Sequence, residues 1–308
     1  MAAASHAMSH HALFYRDQRE YLACIADFAR ARLASGEPVL IAVPGRRVHL
    51  VRAQLGEDSR HVTYADMAET GRNPARIIPE VREFVDHHPG QRVHIIGEPV
   101  WPGRSAAELC EARKHEALVN LAFAHTAASI LCLYADGLAR PVIGGARRTH
   151  PAILCDGLVT DSANYAGADG MPAECERPLP SAPAHAESLS YRTDLRPMRR
   201  LVAHHARRGG LSDDRTASLV LAASEITANT LRHTSAGGTL HVWRTRLEIL
   251  CQVQDQGWIV DPLAGRRRRP AAEPGHGLWV VNQVCDLVEL RTGQAGTTVR
   301  LHMRLPRA

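Results

Sequence analysis

Residues 219–238 read LVLAASEITANTLRHTSAGG, and the helical period within them decides the fold of the second half of the chain. Leu219, Ala222, Ile226 and Leu231 recur at helical spacing as a core-facing stripe. Glu225 and Asn229 lie four residues apart, side by side on one face next to that stripe. A carboxylate and an amide partly buried there require something to bind. Taken alone, the pair also reads as solvated surface on an amphipathic helix, so the choice rests on what surrounds it.

Working outward, helices are expected at about 194–208 and 212–232, followed by two strands, TLHVWRTR and LEILCQVQDQG, joined by a tight turn. An irregular Arg/Pro/Gly stretch (257–275) precedes a helix at 276–286 and a hairpin, LVELRTG–GTTVRLHMRLP. Helices grouped against a mixed sheet make an α+β two-layer sandwich. Three short pieces carry chemistry, in order. Asp255-Gln256-Gly257 ends a strand, Gly275-His276-Gly277-Leu278 opens a helix, and Gly296-Thr297 leads the last strand.

The first half differs. PVLIAV (38–43), HVTYADM (61–67), QRVHIIGE (91–98) and SILCLYAD (129–136) look like buried strands. Amphipathic stretches at about 46–56, 74–88 and 105–126 alternate with them, and a helix at about 17–35 precedes them, which predicts a parallel sheet with helices on its faces. Residues 156–190, rich in Pro, Gly, Ser, Ala and acids, read as a linker. The expected organisation is therefore 1–155, linker 156–190, and 191–308.

Composition limits the function. With 308 residues, 45% hydrophobic and 22% charged, the chain has the make-up of an ordinary globular protein of roughly two domains. No apolar run approaches a membrane span and the N-terminus lacks a secretory pattern, so no membrane association and a cytoplasmic location are expected. The seven cysteines are scattered, with no CxxC and no zinc-finger spacing, which argues against a disulfide framework or structural zinc. Lys114 is the only lysine, and it lies outside any glycine-rich loop, so a P-loop nucleotide site is excluded. Residues 191–308 carry 18 Arg against 10 acids, net +8, and 156–190 carry one Arg against six acids, net −5. With aromatics at only 5%, no direct nucleic-acid partner is expected.

The order and spacing of the motifs in 191–308 resemble the ATP-binding fold of the GHKL superfamily (the Bergerat fold of gyrase-type ATPases, histidine kinases and anti-sigma serine kinases), and most closely its short anti-sigma kinase branch. That resemblance implies ATP and Mg²⁺ as cofactors. Asn229, an amide with a free carbonyl oxygen, would meet Mg²⁺ through the phosphates, and Glu225 would accept the proton of an attacking hydroxyl. Asp255 would take the adenine amino proton, with Gly257 allowing close backbone approach and Thr297 supporting the contact. Gly275, Gly277 and Leu278 would present a helix N-terminus to phosphate. Loop 258–274 would be a lid whose run Arg266–Arg269 neutralises a triphosphate, or alternatively a solvated charge run. The histidine-kinase branch requires a His followed by an acid and then Pro; His204-His205 run into ARRGG, and His115-Glu116 into ALVNLAFAH.

The stretches HHALFYRDQREYLACIADFARARLASGEPVLIAVPG, ADMAETGRNPARIIP and GEPVWPGRSAAELCEARKHEALVNLAF resemble the MEDS (DcmR-type) sensory domain, a RecA/KaiC-like α/β relative, over about 10–155. This implies a small organic ligand. The loop AVPGRRVHL stands in the P-loop position with one glycine and no lysine, so no nucleotide is expected there. Candidate ligand residues are His11, Tyr15, Arg16, Glu98, Trp101, His115 and Glu116; Trp101 and His115 equally read as packing residues. The combined reading is a signalling regulator in which a sensor controls an anti-sigma-type serine/threonine kinase. Its partners would be a sigma factor or an anti-sigma antagonist, and a homodimer is allowed for. The alternatives are a non-catalytic ATP-dependent switch and an orphan sensor histidine kinase.

Overall fold

A computed structural model describes residues 7–155, 157–167, 171, 173–268, 273 and 275–306. They form two compact units that divide between Cys175 and Glu176.

The first unit is built on a seven-stranded sheet, β1 (Ser9–Tyr15), β2 (Val39–Val43), β3 (Val62–Asp66), β4 (Val93–Gly97), β5 (Ala128–Ala135), β6 (Ala152–Cys155) and β7 (Leu158–Asp161). The order is β3-β2-β4-β5-β1-β6-β7, parallel throughout except for the β6–β7 hairpin. β2 is buried at all five positions, as expected for a strand covered on both faces. Helices α1 (Gln18–Leu33), α2 (Gly45–Leu55), α3 (Ile77–Asp86), α4 (Ala106–Ala122) and α5 (Arg140–Thr149) connect the strands. α4 starts on a capping box in which Ser105 and Glu108 satisfy each other's backbone N–H groups. In the P-loop position, the Gly45 N–H donates to Asp66 Oδ1 at 2.7 Å, so an acid already holds the first turn of α2.

The sequence reading missed β1, which lies in the middle of the sheet between β5 and β6. Two histidines interrupt its apolar run, and one of them, His10, is buried. The expected linker 156–190 also contains structure: β7, a short helix α6 (Ala173–Glu176) and strand β8 (Glu187–Tyr191). Cys175 on α6 is disulfide-bonded to Cys110 on α4, with Cα atoms 5.5 Å apart, a pairing the cysteine spacing does not reveal.

The second unit lays α7 (Arg196–Arg208), α8 (Asp213–His233) and α9 (Gly277–Val284) on a five-stranded sheet of β8, β9 (Gly238–Arg244), β10 (Glu248–Asp255), β11 (Leu287–Gly293) and β12 (Gly296–Arg304). The order is β11-β12-β10-β9-β8, and every pair is antiparallel rather than mixed. Met198, Val202, Leu219, Ala222 and Ile226 meet Leu240, Val242, Cys251, Val253, Val299 and Leu301 in one apolar core. This is the two-layer α+β sandwich that the period of α8 predicts.

Candidate functional site

Each piece of the second-unit site is set by local structure. Ser212 caps α8 by accepting from the Arg215 N–H, and the helical register then leaves Glu225 and Asn229 half-buried, one turn apart. α9 crosses them at Gly277, where a Cβ would lie 2.8 Å from Glu225 Oε2 and 3.2 Å from Asn229 Nδ2. Only glycine lets the start of α9 come so close to the acid and the amide. Asn229 Oδ1 is not free as expected: it accepts from Arg232 Nη1 at 2.9 Å, one turn further along α8.

Asp255 closes β10 opposite Thr297 on β12 and Gly238 on β9. Its Oδ1 accepts from the Gly257 N–H at 2.7 Å, and its Oδ2 from the Thr230 hydroxyl at 2.6 Å. Tyr191 donates to the same Thr230 oxygen at 3.0 Å, and its buried phenol is pushed up to about 12, mainly by burial. On the far side, Thr297 donates to the Gly257 carbonyl at 2.8 Å, and Thr292 lies 3.0 Å from Thr297. The carboxylate is thus fixed in direction, with lone pairs left over for an external donor.

A cleft of about 730 Å³ opens over this group, walled by Asn229, Asp255, Gly257, Gly275, Leu278 and Thr297 among others. Glu225 and Gly277 are not part of its wall. Of the expected lid arginines, Arg267 and Arg268 line the cleft. Arg266 is instead buried, and Arg269 lies outside the described residues. Asn282, one turn and a half into α9, holds the loop by donating to the Gly265 carbonyl at 3.0 Å.

In the first unit the candidate ligand residues fall into separate places. Tyr15, Tyr21 and Arg47 all bond Glu98, at 3.2, 2.9 and 2.6 Å. Burial outweighs these partners and raises the Glu98 carboxyl above its usual range. Glu116 belongs to a second cluster with His10, Cys132, Tyr134 and His150. Burial would raise its carboxyl, but His10 and His150 hold it well below the ordinary range. With His115 and Cys132, Glu116 lines a small cavity of about 20 Å³, room for roughly one water. Arg16 is exposed and paired with Glu20 at 3.0 Å, and Trp101 is half-buried with the Arg104 guanidinium 3.6 Å from its ring. His11 faces away from His10 by strand alternation. The structure does not gather these seven residues into one crevice.

Residues 9–151 match the family model described as the methanogen/methylotroph DcmR sensory domain, MEDS, and residues 190–303 match that of the histidine kinase-like ATPase domain. The chain joins a MEDS domain to a histidine kinase-like ATPase domain. A comparison with curated proteins finds no match. A sensory domain fused to an ATPase domain of this kind is a signalling regulator. In the ATPase domain, sequence reasoning missed Thr230, Tyr191, Arg232 and Asn282, which act through the named residues rather than standing in motifs. Thr230 alone carried a signal: it follows Ile226 by one helical turn on the buried side of α8. In the MEDS domain it missed Tyr21, Arg47, His10, Cys132 and His150, which come together only through sheet order.

Proposed function

We propose that the ATPase domain binds Mg-ATP and acts as an anti-sigma-type protein serine/threonine kinase under control of a small organic ligand of the MEDS domain. One observation carries this reading: Asp255, with Gly257 and Thr297 locked around it, faces the same cleft as Asn229, while Gly277 seats α9 against Glu225 and Asn229. The residues fit the nucleotide. Asp255 would accept from the adenine amino group, Asn229 would hold Mg²⁺, and Arg267 and Arg268 would meet phosphate. ATP supplies a transferable γ-phosphoryl group when bound. Glu225 would take the proton of a partner's serine or threonine hydroxyl. The partners would be a sigma factor or an anti-sigma antagonist, the location cytoplasmic, and a homodimer the assembly to test. No helix among the described residues is long and apolar enough to cross a membrane.

The placement of Glu225 off the cleft wall, and the Arg232 bond on Asn229, favour a second reading in which ATP only switches partner binding. A phosphorylation assay with a candidate antagonist separates the two. Under the kinase reading the wild-type chain labels the antagonist, and Glu225→Ala abolishes the label while leaving ATP affinity within a few fold. An unlabelled antagonist that is still retained in an ATP-dependent complex supports the switch.

A further inference from the structure

We infer that the MEDS domain holds a divalent transition metal of the zinc class, bound by His10, Glu116, Cys132 and His150. These residues come from β1, α4, β5 and the cap residue that follows α5. Their donor atoms all lie within 4.8 Å of one another, and all four side chains are buried. His10 Nε2 is 3.4 Å from Cys132 Sγ and 3.6 Å from Glu116 Oε2, and His150 Nε2 is 2.9 Å from the same Glu116 oxygen. A tetrahedral site with metal–ligand distances of about 2.0–2.3 Å places its donors roughly 3.3–3.8 Å apart. The cluster is therefore within a small side-chain adjustment of that geometry.

The hydrogen bonds at the rear of each imidazole set its tautomer. Asn120 Nδ2 donates to the Thr149 carbonyl at 2.7 Å, so Asn120 Oδ1 must be the acceptor that lies 3.0 Å from His10 Nδ1. His10 consequently carries its proton on Nδ1 and turns the Nε2 lone pair into the cluster. His150 Nδ1 lies 2.7 Å from the Ala146 carbonyl, which can only accept, so His150 likewise presents Nε2 inward. That nitrogen faces Glu116 Oε2 at 2.9 Å without a well-aligned hydrogen bond, and Glu116 Oε1 has no hydrogen-bond partner, although both atoms are buried. Two imidazole lone pairs and a carboxylate thus converge on one point, and a cation answers all of them at once. A backbone or amide oxygen behind each ligating imidazole is the arrangement that orients metal-bound histidines, and the Tyr134 hydroxyl, donating to Glu116 Oε2 at 3.0 Å, orients the carboxylate in the same way.

The donor set chooses the metal. Two imidazoles, a thiolate and one carboxylate suit Zn²⁺ or Co²⁺, whereas Mg²⁺ and Ca²⁺ demand oxygen ligands. Binding would expel the Cys132 thiol proton, since a coordinating thiol is deprotonated outright. The site is separate from any Mg²⁺ bound with nucleotide in the ATPase domain, and it does not rest on that domain's activity.

The test uses the full chain without an affinity tag, purified free of chelators, with zinc measured by elemental analysis and Co²⁺ added to the stripped protein. The expected result is one tightly held zinc per chain and a cobalt adduct with intense tetrahedral visible bands and a near-ultraviolet thiolate charge-transfer band. Cys132→Ser should lose the charge-transfer band, whereas the control Cys251→Ser keeps it. Asn120→Ala should weaken metal affinity about 10–100-fold. Wild-type chain that is folded by circular dichroism yet yields no thiolate–cobalt band overturns the proposal, as does a band that persists in Cys132→Ser. The wild-type spectrum decides even if a variant fails to fold. Retention of no metal would leave a proton shared among Glu116, His10 and His150 as the occupant, which contradicts the inference.

Discussion

Asp255 accepts from Gly257 and Thr230 at once, so its carboxylate is held in place before any ligand arrives. Asp255→Asn keeps the size of the group but removes its charge and turns one acceptor into a donor. A hydrogen bond to a charged group is worth about 1.5–3 kcal/mol, so titration calorimetry should show ATP binding weakened by at least tenfold. Unchanged affinity would remove Asp255 from the nucleotide site. At this scale the sequence was informative wherever function and helical period coincide. Glu225 and Asn229 stand out because a polar pair interrupts an apolar face. Arg232 was not legible as a partner of Asn229, since its reach depends on a rotamer that no spacing encodes. The MEDS cluster was hidden for another reason: residues 10, 116, 132 and 150 show no local metal spacing and meet only once β1 has been placed beside β5.

Among elements, the contact of α9 with α8 is the most demanding. A methyl group at position 277 would sit 2.8 Å from Glu225 Oε2 and 3.2 Å from Asn229 Nδ2, so Gly277→Ala must push the start of α9 away. ATP affinity is expected to fall at least tenfold while thermal stability changes little, because Val281 on α9 and Cys285 just after it stay in the core; equal affinity in the two proteins would refute this seating. On the sheet face opposite the helices, His302 lies between Glu248 and Glu289, at 3.1 and 3.0 Å. Burial lowers its basicity, but the two carboxylates prevail and push the imidazole up to about 9 from an ordinary 6.5. The folded state thus binds this proton more tightly than the unfolded chain, so its contribution is complete below about pH 6.5 and is lost as pH rises to about 9. Urea denaturation should show the ATPase domain losing stability across that window, and His302→Gln should flatten the slope. A wild-type slope of zero there would contradict the assignment. Strand β2 was legible because a buried parallel strand is continuously apolar, and β4 and β5 because only a single polar residue, His94 or Ser129, interrupts each apolar run. β1 was not, because two histidines interrupt its apolar run, of which His10 turns into the cluster, and β8 was concealed in a polar, mostly exposed sequence.

For the whole molecule, the change of composition at 156–190 marked a boundary, but β7, α6 and β8 lie within that stretch, and the two compact units divide at Cys175 and Glu176. The arginine excess of 191–308 has a local use where Arg267 and Arg268 line the cleft, while Arg266 turns inward. Sensor and ATPase domain together make a signalling regulator, and in the proposed function its output depends on one nucleotide pocket. The most direct measurement is isothermal titration of the intact chain with Mg-ATP, alongside Asn229→Ala. Saturable heat in the wild-type protein and its loss in the variant are predicted; no heat from the wild-type chain at millimolar Mg-ATP would contradict the account.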